Sequence, residues 1–257
     1  MIRTTLVALA AAAVFAPALA AAAVFAPALA DTLKITGAST VLNVVVTPTK
    51  AAVEKGTGHT LQIIGSGTGK GLVDLFDGAS DIAMISEPMD IAADAAAVAG
   101  KKIDASKVRF FELKKDEIVF VVHPSNPVGK LSWDQIRDIH VGKIKNWKDV
   151  GGKDQAIVVY SDSTTGGTRA MVKKIVMGGA EYGPDVKPQT SVKRAAEMVG
   201  GDEAGITGVG KGFVDAAKNK IVETKKLERP LALATLGEPK PAAKAVIDAF
   251  AREAKGL

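Results

Sequence analysis

Four short loops rich in Ser, Thr and Gly hold most of the residues in this sequence that could bind a small ligand. They cover residues 37–40 (GAST), 65–69 (GSGTG), Ser86 and 163–168 (STTGGT). Each follows a predicted strand, and three precede a predicted helix, with Ser39 or Thr40 as the predicted N-cap of the first. The first N–H groups of a helix lack intrahelical partners and carry the positive end of its dipole. The four loops together predict a small-anion site, whereas any one alone is explained as a helix cap.

Motifs for catalysis, nucleotide binding and metal binding do not fit the sequence. Residues 65–70 read GSGTGK, which lacks the spacing of both a phosphate-binding loop and a dinucleotide fingerprint. There is no G-x-S-x-G motif and no cysteine, and His59, His123 and His140 stand too far apart for an i,i+4 metal pair. We therefore predict a binding protein rather than an enzyme, with no catalytic residues, no metal and no cofactor.

Charge and element pattern indicate the broad class of the chain. The 257 residues include 33 basic and 28 acidic ones, and the aromatic residues do not interleave with basic clusters, so no nucleic-acid partner is expected. Short β-rich runs alternate with helical patterns, which predicts an α/β fold. Strands are predicted at 33–35, 61–64, 81–85, 117–123, 156–160, 205–209 and 231–235, and helices at 41–53, 70–76, 133–139, 169–176 and 241–254. Pro48 predicts a kink or an early break in the first helix.

The N-terminus has the pattern of a secretory signal. A basic start at Arg3 is followed by an apolar run, and residues 28–30 (ALA) form a small-x-small cleavage site before Asp31. Residues 11–20 repeat identically as 21–30, which offers a second cleavage site after Ala20. We predict that residues 1–30 are a signal peptide and that the protein is exported. The alternative is an uncleaved membrane anchor, because the apolar run approaches the roughly 20 residues that span a bilayer.

Several segments resemble the phosphate-binding subunit of bacterial phosphate ABC importers. They are residues 37–40, 65–69, 80–86 (SDIAMIS), 138–147 (DIHVGKIKNW) and 166–169 (GGTR), and the resemblance extends over residues 33–254. It implies a two-lobed type II periplasmic-binding-protein fold, with mixed sheets, helices on both faces and a two-segment hinge. The implied lobes are residues 31–117 plus 230–257, and residues 118–229. The resemblance also implies a monomer in the periplasm that carries phosphate or a related oxyanion to an ABC transporter permease.

The resemblance also implies a set of ligand-binding residues, and two of them depart from the family pattern. The implied set is Ser39, Thr40, Ser66, Gly67, Ser86, Asp162, Gly166, Gly167 and Thr168. The family usually has Arg where Asp162 stands and Ser where Gly166 stands. Loss of a charge-assisted hydrogen bond of about 1.5–3 kcal/mol would weaken dianion binding at least tenfold.

Three explanations of Asp162 remain open from the sequence. Arg169 or a flexible lysine could reach into the site and replace the lost guanidinium. Asp162 could instead accept a proton from a protonated ligand such as hydrogen phosphate, a role for which Glu87, next to Ser86, is another candidate. Finally, the ligand could be a neutral or cationic molecule. A separate alternative for the function of the whole chain is a ligand-free scaffold or adhesin on the same fold.

Overall fold

The computed structural model describes residues 30–257, so the predicted signal peptide lies outside the described residues except for Ala30. Within this range eight strands form one mixed sheet in the order β2-β1-β3-β8-β4-β7-β5-β6. The strands are β1 (Thr32–Gly37), β2 (Thr60–Gly65), β3 (Ile82–Ile85), β4 (Val108–Val122), β5 (Val158–Ser161), β6 (Lys187–Pro188), β7 (Gly205–Gly210) and β8 (Lys220–Leu236).

Helices cover both faces of this sheet. They are α1 (Ser39–Val41), α2 (Thr47–Thr57), α3 (Thr68–Phe76), α4 (Met89–Val98), α5 (Trp133–His140), α6 (Gly167–Met171), α7 (Val192–Gly200) and α8 (Pro241–Glu253). A π-helical segment, Leu42–Val46, joins α1 to α2, and a second, Val172–Val176, continues α6. Pro48 lies in the first turn of α2, where its missing N–H costs little, so the predicted irregularity falls just before it. No described helix is both long and apolar enough to cross a bilayer.

The sheet has parallel wings and an antiparallel centre. Strand β1 pairs in parallel with β2 and β3, and β5 pairs in parallel with β6 and β7. Between these wings, β3–β8, β8–β4 and β4–β7 are antiparallel pairs. We call β1–β3 with α1–α4 and α8 the first lobe, and β5–β7 with α5–α7 the second lobe. In each wing the loops after the parallel strands meet at one edge, as expected of a ligand-binding edge in an open α/β sheet.

Separate hydrophobic clusters on the two faces of the sheet stabilise the two lobes. In the first lobe, α2 and α8 cover one face and α3 and α4 cover the other. In the second lobe, α5 and the α6 helix cover one face and α7 covers the other. Burial of a Leu, Ile, Val or Phe side chain contributes about 1.5–3 kcal/mol. Each lobe therefore has its own core, although Ile91 of α4 in the first lobe packs into the second-lobe cluster.

The two central strands are much longer than the sequence pattern predicts. Strand β4 has 15 residues and β8 has 17, whereas the apolar runs predict only 117–123 and 231–235. The added segments are charged, and they pair with each other in a register that places Asp116 opposite Arg229, interrupted by two bulges. Both strands extend from one lobe into the other. The residue boundaries of the lobes remain a prediction.

Candidate functional site

A small polar cavity lies between the two lobes. It is lined by Ala38, Ser39, Thr40, Gly65, Gly67, Ser86, Asp162, Ser163, Gly166, Gly167, Thr190 and Ser191. All four predicted loops therefore meet at one place, and seven of the nine predicted residues line the cavity. Ser66 and Thr168 are not part of the lining: the Ser66 hydroxyl is buried with no hydrogen-bond partner, and the Thr168 hydroxyl accepts a hydrogen bond from Arg229. Thr190 and Ser191, just before α7, were not predicted.

Three helices begin at this cavity. Helices α1, α3 and α6 start at Ser39, Thr68 and Gly167, and none receives a hydrogen bond from the side chain of its N-cap residue. The predicted N-cap role of Ser39 or Thr40 is wrong, because Ala38 occupies that position and Ser39 is the first helical residue. The Ser39 hydroxyl is thus not used as a cap at the helix end. Gly67, the N-cap of α3, has φ +85°, a conformation that glycine adopts without strain.

A buried arginine that the sequence analysis missed joins the loops of both lobes. The Arg229 side chain is 0% exposed. Its Nη1 donates to Thr168 Oγ1 at 2.7 Å, and its Nη2 donates to Thr40 Oγ1 at 3.2 Å. Its Nε and Nη2 both donate to Asp116 Oδ2, at 2.9 and 2.8 Å. The positive charge behind the cavity therefore comes from strand β8 and not from the loop 163–168.

Neither cation considered in the sequence analysis reaches the cavity. Arg169 donates to Ser161 Oγ at 2.5 Å and stacks on the Tyr182 ring, with its guanidinium carbon 3.8 Å from the ring centroid. Among residues 30–257, no lysine lines the cavity. The suggestion that Arg169 or a lysine replaces the lost guanidinium is therefore wrong, and Arg229 is the cation nearest to the predicted ligand groups.

Asp162 is buried at the N-terminal end of α6. Desolvation raises the pKa of its carboxyl to about 6, although attraction to the Arg229 guanidinium opposes this shift. Hydrogen bonds from the backbone of Arg169 and Thr168 and from the Ser163 side chain also lower the pKa. The Asp162 carboxylate therefore accepts N–H groups at this helix end that could otherwise bind an anionic ligand. Because its pKa lies near 6, the carboxyl can be protonated under mildly acidic conditions.

A second buried carboxyl, Glu87, is next to Ser86 and is not itself part of the cavity lining. Its Oε2 accepts hydrogen bonds from Thr68 Oγ1 at 3.0 Å and from the Ser86 N–H and hydroxyl at 3.0 and 2.9 Å. Its Oε1 is buried without a hydrogen-bond partner. Desolvation raises the pKa of Glu87 to about 7, despite the hydrogen bonds from Ser86 and Thr68 and the attraction to Arg229, which lower it.

Two glycines of the α6 loop leave space for these carboxyls. A Cβ at Gly166 would overlap the Asp162 carboxylate, and a Cβ at Gly167 would overlap the Glu87 carboxylate and the Ser86 hydroxyl. The two departures from the family pattern are thus linked, because the Asp162 side chain fills the space that a serine at position 166 would need.

We expect Gly166→Ser to destabilise the protein by about 1–3 kcal/mol, the usual effect of overpacking a buried site. The same substitution in an Asp162→Gly background should cost much less, because the carboxylate that it meets is gone. Urea unfolding of the two single variants and the double variant measures this coupling. Equal costs of Gly166→Ser in both backgrounds would show that the two positions are independent.

The lobes also touch each other directly through residues outside the cavity lining. The Gly69 N–H of the first lobe donates to the Thr165 carbonyl of the second at 3.3 Å. On α4 of the first lobe, Asp94 pairs with Lys174, which follows α6, at 3.2 Å. The cleft is therefore closed, and its wall is formed by groups from both lobes. No cluster of three or more potential metal-ligating His, Cys, Asp or Glu residues occurs within residues 30–257.

Known proteins resemble this chain in sequence and in structure. The sequence family described as the PBP superfamily domain matches residues 23–255. The phosphate-binding protein PstS of Bacillus subtilis (strain 168) is 30% identical over 159 residues, which cover 62% of this chain and 50% of that protein. The chain spans about half the length of the curated relatives it matches.

Two solved structures extend this similarity over most of the fold. A structure from Clostridium perfringens, named as a phosphate ABC transporter substrate-binding protein with bound phosphate, is 26% identical with a TM-score of 0.74. It covers 85% of this chain and 92% of its own. An ABC-type phosphate transport receptor from Vibrio cholerae shares the fold at 22% identity and a TM-score of 0.66, covering 87% and 95% of the two chains. The predicted fold class and family resemblance are confirmed.

Proposed function

Because the chain belongs to the PBP superfamily and, within it, to the PstS-like substrate-binding proteins, we propose that it binds phosphate or a closely related tetrahedral oxyanion between its lobes. The observation that carries this proposal is the convergence of three helix N-termini on one hydroxyl-lined cavity, with the Arg229 guanidinium behind it. Backbone N–H groups at helix N-termini bind anions through hydrogen bonds and the helix dipole.

The proposed ligand groups are those that line or border the closed cleft. Hydroxyls of Ser39, Thr40 and Ser86 come from the first lobe, and Gly166 and Gly167 bring backbone from the second. Ligand contacts to both lobes exist only in the closed state, so binding shifts the open–closed equilibrium towards closure. We propose that the closed, loaded form delivers the ligand to an ABC transporter permease, outside the cytoplasmic membrane.

The two buried carboxyls favour a second candidate ligand. With Asp162 and Glu87 ionised, the Arg229 charge is outnumbered by the carboxylates around it, including Asp116. A neutral or cationic ligand with several hydrogen-bond donors would suit such a site. Phosphate fits when it carries a proton that a carboxylate accepts, or when one of the carboxyls is itself protonated. In both cases the protein acts as a carrier and not as an enzyme.

A thermal-shift panel on the purified protein distinguishes these ligands. It should include phosphate, arsenate, sulfate, phosphonates, amino acids and sugars. A ligand at 100 times its dissociation constant adds about 2.7 kcal/mol to the free energy of unfolding, which raises the Tm by roughly 5–10 °C. We expect this shift with phosphate or arsenate. A shift with an amine or sugar, and none with any tetrahedral oxyanion, would support the second candidate and reject the first.

A further inference from the structure

Arg229 contacts the binding loops of both lobes but belongs to neither of them. It lies on the long strand β8, at the register position opposite Asp116 of β4, in the part of the sheet that joins the lobes. From there its guanidinium reaches Thr40 in the first lobe and Thr168 in the second. A single buried side chain is thus hydrogen-bonded to one threonine hydroxyl from each lobe.

The direction of these hydrogen bonds decides what the two hydroxyls can do. A threonine hydroxyl has one hydrogen to donate and two lone pairs that accept. Guanidinium only donates, so Thr40 Oγ1 and Thr168 Oγ1 must act as acceptors towards Arg229. Their own hydrogens remain for another acceptor, and Thr40 borders the cavity. Arg229 thereby orients the hydroxyls as donors and increases their polarity, since a bond to a cation is stronger than a neutral one.

The surroundings hold Arg229 in this position. Asp116 binds Nε and Nη2 through one carboxylate oxygen, which leaves Nη1 for Thr168. Gly210 on β7 provides the space, because a Cβ there would lie 2.6 Å from both Arg229 Nη2 and Asp116 Oδ2. A longer side chain at Gly210 would push the pair apart. The guanidinium is therefore fixed by three strands, and it is not a mobile side chain that happens to lie near the cleft.

We infer that Arg229 is the positioning residue of the ligand site, holding Thr40 and Thr168 as hydroxyl donors from opposite lobes and supplying the positive charge that the loop 163–168 lacks. This inference rests on the proposed binding of a tetrahedral oxyanion. It assigns the positive charge to the strands that join the lobes. Because Thr40 and Thr168 belong to different lobes, Arg229 can hold both hydroxyls only when the lobes are closed. Arg229 acts through the two threonines and is not itself part of the cavity lining.

The test combines Arg229→Lys with Thr40→Val and Thr40→Ser in a double-mutant cycle, with the phosphate dissociation constant measured by calorimetry. Lysine keeps the charge, but its donors are all on one nitrogen and lack the planar fork by which two guanidinium nitrogens contact the two hydroxyls. We expect Arg229→Lys to weaken phosphate binding by about 10- to 100-fold, the range of one charge-assisted hydrogen bond. Thr40→Val should cost about 10-fold in the wild type and less than about 3-fold in the Arg229→Lys background, whereas Thr40→Ser should retain most of the affinity.

A second variant controls for loss of binding through misfolding, because a buried charge left without its partner destabilises a protein strongly. Combining Asp116→Leu with Arg229→Met removes both charges and keeps a packed interior, so this double variant should fold and bind phosphate at least 10-fold more weakly. If the wild type binds phosphate while both Arg229 variants bind it equally well, or if the losses from Thr40→Val and Arg229→Lys are simply additive, the positioning role is rejected. If the wild type itself does not bind phosphate, the proposed function fails, and this inference fails with it.

Discussion

Gly167→Ala is expected to abolish most ligand binding while leaving each lobe folded. A Cβ at this position would overlap the Glu87 carboxylate and lie 2.6 Å from Ser86 Oγ, and both of these groups belong to the first lobe. Glu87 cannot easily move away, because Thr68 and Ser86 hold its carboxylate with three hydrogen bonds. The overlap exists only when the lobes meet, so it penalises closure and not folding.

The expected loss in phosphate affinity is about 100-fold, which corresponds to the upper part of the 1–3 kcal/mol range for overpacking. Calorimetry gives the affinity, and small-angle scattering with and without phosphate gives the degree of closure. Gly129→Ala is the matched control, because a Cβ at that second-lobe glycine meets no atom within 4 Å. Affinity of Gly167→Ala within threefold of the wild type would show that the lobes close differently from the arrangement described above.

The sequence allowed the hydroxyl loops and most of the fold to be predicted, because both depend on local patterns. The loops follow short apolar strands and precede helices, and this local order alone brought Ser39, Ser86 and Gly167 to one cavity. Helix α3 and strand β3 begin and end within about two residues of their predicted bounds for the same reason. Glycine, hydroxyl side chains and apolar periodicity are signals that a single sequence displays directly.

Arg229 could not be found in this way, because its role depends on a register between distant segments. Its partner Asp116 lies 113 positions away, and neither residue is in an apolar run. One signal was present: Leu227, Arg229 and Leu231 alternate along one strand, and both leucines are buried. An arginine at a core-facing position of a strand needs a buried partner, which the alternation alone does not identify.

The link between Asp162 and Gly166 was also visible only in three dimensions. The sequence presented them as two separate departures from a family pattern. Their common cause is steric, since the carboxylate occupies the place of a side chain at position 166. That carboxylate is buried and is attracted by Arg229 of a distant strand, which no local pattern encodes. The same holds for Glu87, whose raised pKa follows mainly from desolvation and not from its neighbours in the sequence.

Oxyanion binding is expected to weaken as pH rises from about 5 to about 8. Asp162 and Glu87, whose pKa values lie near 6 and 7, lose their protons over this range and then repel an anion in the cleft. Each carboxyl that must be protonated for binding contributes up to tenfold in affinity per pH unit above its pKa. Glu87→Gln and Asp162→Asn keep the shape of each side chain without its charge, so both should flatten the pH profile.

Phosphate also titrates near neutral pH, but its own protonation is common to the wild type and the variants. The ratio of their dissociation constants therefore isolates the contribution of the protein. Below pH 5 the ratio of the wild-type dissociation constant to that of Glu87→Gln should approach a constant value. At pH 8 this ratio should be at least 10-fold larger, because the wild type then binds phosphate more weakly while the variant does not lose affinity through this group. Glu112→Gln, at an exposed position on β4, is the matched control and should leave the profile unchanged. Parallel profiles for the wild type and both cleft variants would exclude proton-linked binding.

The same two carboxyls predict how the stability of the ligand-free protein depends on pH. Their pKa values are raised in the folded protein, so between about pH 4 and pH 7 these two groups hold more protons in the folded state than in the unfolded chain. Their contribution to the free energy of unfolding falls as pH rises through this window. The buried imidazole of His140, whose pKa desolvation lowers to about 4, contributes in the opposite direction, so the effect of Glu87 is read from the difference between the wild type and Glu87→Gln. Urea unfolding at pH 5 and pH 7.5 should show a smaller fall for Glu87→Gln than for the wild type. A fall of equal size in both would mean that the pKa of Glu87 is not raised in the folded protein. The prediction of proton-linked binding depends on that raised pKa and would then lose its basis.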